Sequence, residues 1–200
     1  SMEDRSVQRD AVERGKQITI LLTGDIAAIP ERNIHRSTCE AYNVMQTNTK
    51  HIYPYFDKDG KYVAQKVRDV AAKDFSVKGQ WGDAVLFGAQ LFPKGGKYIT
   101  IVEGELDALA AYQMTGSKWP VVSIRNGAQG ALRDAKANYD YINSFENIVV
   151  CFDNDEPGRK AASEVAELFG SKAKVFKHVG DCKDACDYLK TGKGEQFVNL

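Results

Sequence analysis

Carboxylates gather at three places in this 200-residue chain: Glu103-Gly104-Glu105-Leu106-Asp107, Asp153-Asn154-Asp155-Glu156-Pro157-Gly158-Arg159, and Asp181-Cys182-Lys183-Asp184-Ala185-Cys186-Asp187. Each cluster follows a short apolar run, Tyr98-Ile99-Thr100-Ile101-Val102, Asn147-Ile148-Val149-Val150-Cys151-Phe152 and Lys174-Val175-Phe176-Lys177-His178. Three strand ends would then deliver acid to one edge of a sheet. Like charges crowded together repel one another unless a cation neutralises them, and hard carboxylate oxygens suit Mg²⁺ or Mn²⁺. Residues two apart in extended chain point to the same side, so Asp153 and Asp155 can face one space. At any single site the simpler reading is a helix cap or a first-turn partner of the helix dipole. Three coincident sites make a divalent cation the more economical explanation.

The elements that must position these acids follow from the apolar pattern. Behind the first strand, Leu106, Leu109, Ala110 and Met114 recur at helical spacing. Pro120-Val121-Val122-Ser123-Ile124 reads as a second strand, followed by a Gly-rich turn and a long helical stretch to about Asn143. The third strand, 147–152, precedes a helix from about Pro157 to Phe169, with Pro in the first turn where its missing N–H costs nothing. Short apolar strands alternating with helices predict a parallel sheet covered on both faces, whose function gathers beyond the strands' C-terminal ends. The first hundred residues are less regular. Ile18-Thr19-Ile20-Leu21-Leu22 is strand-like, Ser37-Thr38-Cys39-Glu40 has capping-box spacing before a short helix through Tyr42, and Asp57-Lys58-Asp59-Gly60 joins two β-arms, 51–56 and 61–68, into a hairpin. The expected architecture is a mixed α+β subdomain over residues 1–95, followed over 96–200 by an α/β subdomain with a mainly parallel sheet flanked by helices. The active site is expected in the groove between them.

Composition sets the outer limits. Lys plus Arg and Asp plus Glu are 27 each, so the formal charge is zero and a polybasic binder is excluded. The zero hides a division: residues 1–100 carry 15 basic and 12 acidic side chains, and residues 101–200 the reverse excess. No apolar run approaches the roughly 20 residues that span a bilayer, and the N-terminus lacks a secretory apolar core, so a cytoplasmic protein without a membrane partner is expected. Cys39, Cys151, Cys182 and Cys186 include only one close pair, which favours reduced structural thiols over a zinc site. His35, His51 and His178 lack ligand partners at useful spacing, and Tyr53, Tyr55 and Phe56 are expected to pack the hairpin rather than stack on bases.

Glu103-Gly104 after one strand, Asp153-Asn154-Asp155-Glu156-Pro157-Gly158 after a later one, and a further Asp beyond resemble the TOPRIM domain shared by primases, topoisomerases and some nucleases. The likeness extends over roughly residues 25–190. It includes Gln65-Lys66-Val67-Arg68-Asp69, Lys73-Asp74-Phe75, Leu86-Phe87-Gly88, Gly127-Ala128, Asn138-Tyr139 and Cys182-Lys183-Asp184-Ala185, and it is similar to the primase half of the phage bifunctional primase-helicases. That resemblance implies a DNA-dependent RNA polymerase module that copies single-stranded DNA into short primers from ribonucleoside triphosphates. It further implies Glu103, Asp153, Asp155 and Asp184 as metal ligands, with Asp107 supporting them from behind. Lys66 and Lys73 match basic residues that contact nucleotide or template, with Arg68 beside them, and Arg125, Asn126 and Gly127 would lie over the phosphates. Relatives of this kind carry a cysteine-rich zinc module before the core and a helicase ring after it, so a replicative helicase domain is the expected partner in a full-length protein. Two other readings remain open at this stage: a metal-dependent TOPRIM nuclease using water as nucleophile, and a non-catalytic nucleic-acid or replisome-binding module.

Overall fold

The computed structural model describes residues 21–199. Two four-stranded sheets organise it. The first is antiparallel, β1 (Met45–Gln46), β2 (Lys50–Phe56), β3 (Tyr62–Asp69) and β4 (Phe75–Gly79) in spatial order 1-2-3-4. The β2–β3 hairpin forms as its alternation predicts, because Asp57 Oδ1 accepts the Asp59 and Lys61 N–H groups and Gly60 takes a left-handed φ of 82°. β1 and β4 are not announced by the sequence pattern. β4 is an exposed edge, so it carries no alternation of buried and open positions for a pattern to register.

The second sheet is wholly parallel, β5 (Tyr98–Val102), β6 (Val121–Ser123), β7 (Asn147–Cys151) and β8 (Ala173–Val175), in the order β6-β5-β7-β8. Its helices are α2 (Glu105–Met114) between β5 and β6, α3 (Ala131–Ala137) and α4 (Tyr139–Asn143) between β6 and β7, and α5 (Glu156–Phe169) between β7 and β8. α6 (Ala185–Lys190) and α7 (Gly194–Val198) follow. The mixed α+β first half and parallel, helix-flanked second half are as the sequence implies. Because β5 leads towards β6 and β7 leads towards β8 on the other side, the loops leaving β5 and β7 diverge and open a crevice at the C-terminal end of the sheet, the usual ligand position in such folds.

Several local expectations need correction. Ile18, Thr19 and Ile20 of the anticipated first strand lie outside the described residues. Leu21 and Leu22 form no strand; the Leu22 peptide is instead held by buried Gln65, whose Oε1 accepts its N–H at 2.9 Å while Nε2 donates to its carbonyl at 2.6 Å. The capping box does not form. α1 (Arg36–Ala41) starts two residues early, placing Ser37 inside the helix, and the His35 N–H is taken by Gln113 Oε1 of α2 at 2.8 Å. The long helix expected after the second strand breaks at Asn138, whose Nδ2 donates back to the Asp134 carbonyl at 2.8 Å. β8 ends at Val175, three residues earlier than its apolar run suggests.

One continuous core links the halves. α1 and Tyr42 belong to it: Tyr42 stacks on Phe87 and donates its hydroxyl to the Val121 carbonyl at 2.7 Å, while Phe87 pairs with Ser123 beside β6. α2 is buried from Glu105 through Ala111, packed against α6, β6 and α1, so its apolar character runs all round rather than along one stripe.

Candidate functional site

Glu103 leaves β5 and Asp153 leaves β7. Pairing of Val102 with Cys151 brings the two exits side by side, and the Asp153 N–H donates to Glu103 Oε1 at 3.3 Å. Asp107 stands in the first turn of α2 and is 9% exposed. Its Oδ1 accepts the Cys186 N–H at 3.0 Å, tying α2 to the start of α6. Asp184 is the N-cap of α6, accepting the Asp187 N–H at 2.8 Å. Three elements distant in sequence therefore meet: Asp107, Asp153 and Asp184 each offer a carboxylate oxygen, all within 4.8 Å of one another. Asp155 has a second task. It caps α5 through the Gly158 N–H at 2.8 Å, and its other oxygen lies 3.6 Å from Lys183 Nζ. The glycine of the motif has a steric reason, since a Cβ at Gly158 would fall 2.1 Å from the Asp153 carbonyl oxygen.

Burial and mutual repulsion set the electrostatics of this cluster. Burial, reinforced by the Glu103 carboxyl beside it, pushes Asp153 up to about 8. Burial also raises Glu103, Asp184 and, most strongly, Asp107, which feels Asp184 and Asp153 next. The cations that reach this cluster do so weakly: Lys183 lowers Glu103, and Arg32 lowers Asp184 only after larger effects. Oxygen-only donors, close together and mutually repelling, fit a hard divalent cation.

The basic residues separate by environment. Lys66 is not a free surface lysine: its side chain is 11% exposed, and Nζ lies 2.6 Å from Glu105 Oε1, donates to the Arg125 carbonyl and approaches the Phe75 ring at 5.3 Å. Glu105 also accepts the Tyr55 hydroxyl at 2.7 Å, so this knot fastens the antiparallel sheet to the N-terminus of α2. Arg68, two residues on and on the same face, keeps a buried Nε without a hydrogen-bond partner. Lys73 lies exposed in the β3–β4 turn with φ of 56°. Arg125 is committed elsewhere. Its guanidinium holds Asp134 at 3.1 Å, donates to the Trp81 and Ala84 carbonyls and lies 5.2 Å from the Trp81 ring centroid. Asn126 is exposed, and Gly127 takes φ of 68° with open space around it.

Arg32 and Asp134 escape sequence reasoning, and Glu105, although it stands in the first acidic cluster, is given no role by it. Arg32 donates to Cys186 Sγ at 3.4 Å across 154 residues of sequence, a separation at which no local spacing gives a signal. The four cysteines are buried free thiols, as expected, and Tyr53 and Tyr55 are core residues, each 1% exposed. His178 bonds the Phe152 carbonyl through Nε2 at 2.7 Å.

A family described as Toprim-like matches residues 100–189, and one described as the bacteriophage T7 DNA helicase/primase N-terminal a+b fold matches residues 24–79. The chain is 37% identical over 166 residues to the DNA helicase/primase of Enterobacteria phage T3, covering 81% of this chain but 29% of that protein, so it spans less than a third of the curated relative's length. It superposes on the primase fragment of the bacteriophage T7 primase-helicase with a TM-score of 0.81 and 35% identity, over 92% of this chain and 80% of that one. The E. coli primase catalytic core shares the fold at TM-score 0.55 and 17% identity, over 82% of this chain and 58% of that one. No described helix is long and apolar enough to cross a membrane. The chain belongs to the family of primase domains found in the phage primase-helicases.

Proposed function

We infer that this chain is a DNA-dependent RNA polymerase core that joins ribonucleoside triphosphates into short primers on a single-stranded DNA template. The observation that carries the reading is the convergence of Asp107, Asp153 and Asp184 beside Glu103, at the crevice of a chain 35% identical to the T7 primase fragment. Asp107, Asp153 and Asp184 would hold a Mg²⁺ or Mn²⁺ ion, with Glu103 and Asp155 flanking it. When bound, such an ion activates a 3′-oxygen and neutralises charge growing on the α-phosphate. The chain's own residues do the positioning. Asp184 and Asp155 are fixed by their caps, and Asp107 by the Cys186 N–H, so the donors are pre-set by backbone rather than by mobile side chains. Arg68 and Lys73 face the template or triphosphate, with Asn126 and Gly127 leaving an open approach over the phosphates. Lys66 and Arg125 hold that basic face in place against the acidic one. In a longer protein the expected neighbour is a replicative helicase domain, working in the cytoplasm of a phage-infected host.

Primer synthesis on single-stranded DNA with Mg²⁺ or Mn²⁺ and ribonucleotides tests this, with Asp153→Asn as the control. Template-directed ribonucleotide products, lost in the variant, are expected. Cleavage of DNA without added nucleotides would instead make the site a nuclease.

A further inference from the structure

The parallel sheet has a second edge, where its strands begin, and its side chains have the opposite character to the acidic one. Lys97 directly precedes β5, Lys118-Trp119-Pro120 leads into β6, Glu146 precedes β7 and Lys172 precedes β8. Lys172 is occupied with the Asn143 carbonyl at 2.7 Å. Around β5 and β6 the arrangement is different. Tyr98 and Trp119 are each 41% exposed and meet edge to face with ring centroids 5.9 Å apart. Lys97 Nζ lies 5.8 Å from the Tyr98 centroid, and Lys118 Nζ 5.5 Å from that of Trp119. Neither lysine joins an ion pair among the described residues.

Two half-open rings, each with an ammonium at its face, are more than core packing requires. A lysine held only by an exposed ring gains about 0.5–1 kcal/mol, little enough to be exchanged for a phosphate. Once the ammonium moves to a phosphate, the ring face is open to a base. That combination of aromatic platforms and unpaired positive charge is how single-stranded nucleic acid is bound without sequence readout. Burial under an apolar protein surface would instead strand two charges away from water. We propose that Lys97, Tyr98, Lys118 and Trp119 form a second contact for single-stranded DNA, on the far edge of the sheet from the carboxylates. The two contacts are separated by the length of the five-residue strand β5, about 16 Å at the usual rise per residue. The contact holds the template strand outside the catalytic crevice and takes no part in the chemistry.

The test is a titration of the whole chain with long oligo(dT), without metal or nucleotides, reading tryptophan emission and the anisotropy of labelled DNA together. Trp81 lies under Arg125 and against Tyr55, so Trp119 is the responsive fluorophore, and Trp119→Phe identifies its share. Saturable quenching that disappears in Trp119→Phe is expected. Lys97→Glu with Lys118→Glu is expected to weaken binding about tenfold or more and to flatten the log–log salt slope by roughly 1.4, two phosphate contacts' worth. The titration contains neither metal nor nucleotide, which separates the patch from the metal assignment. Wild-type affinity and slope in the charge-reversed variant, with emission insensitive to DNA, would overturn the proposal. So would unchanged DNA binding accompanied by altered self-association in sedimentation, because the patch would then be a protein interface.

Discussion

Among single residues, the proposed role of Asp153 is the most exposed to test. Its carboxyl is pushed up to about 8 by burial and then by Glu103, against an ordinary Asp value of about 3.9. A group raised in the folded state contributes stability that is complete below the unfolded value and is lost as pH rises through the folded one. The metal-free chain should therefore lose melting temperature between about pH 4 and pH 8, and added Mn²⁺ should restore more of it at the upper end. Calorimetry in buffers of different ionisation enthalpy should find protons released on binding at neutral pH. A metal-induced shift that is the same at both ends of that range would contradict the cluster as the binding site. The acids also differ among themselves. Asp153→Asn and Asp107→Asn should remove Mn²⁺ binding without lowering apo stability, since each relieves repulsion, whereas Asp155→Ala should cost about 1 kcal/mol through the lost α5 cap. Urea denaturation with and without Mn²⁺ distinguishes the two kinds of acid.

Elements show why the motif residues take the form they do. The turn from β7 into α5 closes so tightly that Gly158 permits no Cβ, and Gly158→Ala should displace the Asp153 carbonyl and with it the carboxylate. Loss of Mn²⁺ binding with both acids still present is the expected readout. Arg125 and Asp134 join β6 to α3 and to the Trp81 turn, and Asp134 is 1% exposed. Removing Asp134 alone should destabilise the chain by roughly 3–5 kcal/mol, because a buried guanidinium is left uncompensated. Lys66 and Glu105 behave the same way. Lys66→Met should destabilise, and adding Glu105→Gln should recover part of the loss in chemical denaturation. A Lys66→Met variant as stable as the parent would show that the pair does not fasten the sheet to α2.

Across the whole molecule, what was legible in sequence follows a physical division. The parallel sheet, its order of strands and helices, and the acidic edge were readable because buried strands are short apolar runs and their exits carry the charge. The hairpin was readable from alternation around a turn. Capping at Ser37 failed because Gln113 reached His35 from another helix, and the break at Asn138 failed because a side-chain bond to Asp134 decides it. The first is a tertiary effect that local spacing does not encode; the second is a local side-chain-to-backbone bond that the apolar pattern does not register. The same limit applied inside the site. Glu103, Asp153 and Asp184 stood out by their positions after strands, but the place of Asp107 in the tight trio depends on how α2 lies over α6. The fastening of Lys66 and Arg125 depends on Glu105 and Asp134, to which no motif assigns that role. Apparent neutrality likewise concealed the arrangement, since the first hundred residues carry the basic excess and the second hundred the acidic one. The most direct measurement is ribonucleotide incorporation on single-stranded DNA by the parent chain and by Asp153→Asn, with and without Mg²⁺ or Mn²⁺. Metal-dependent primers from the parent and at least a hundredfold loss in the variant, about 2.7 kcal/mol of barrier, are predicted; undiminished synthesis by Asp153→Asn, or synthesis indifferent to metal removal, would contradict the account.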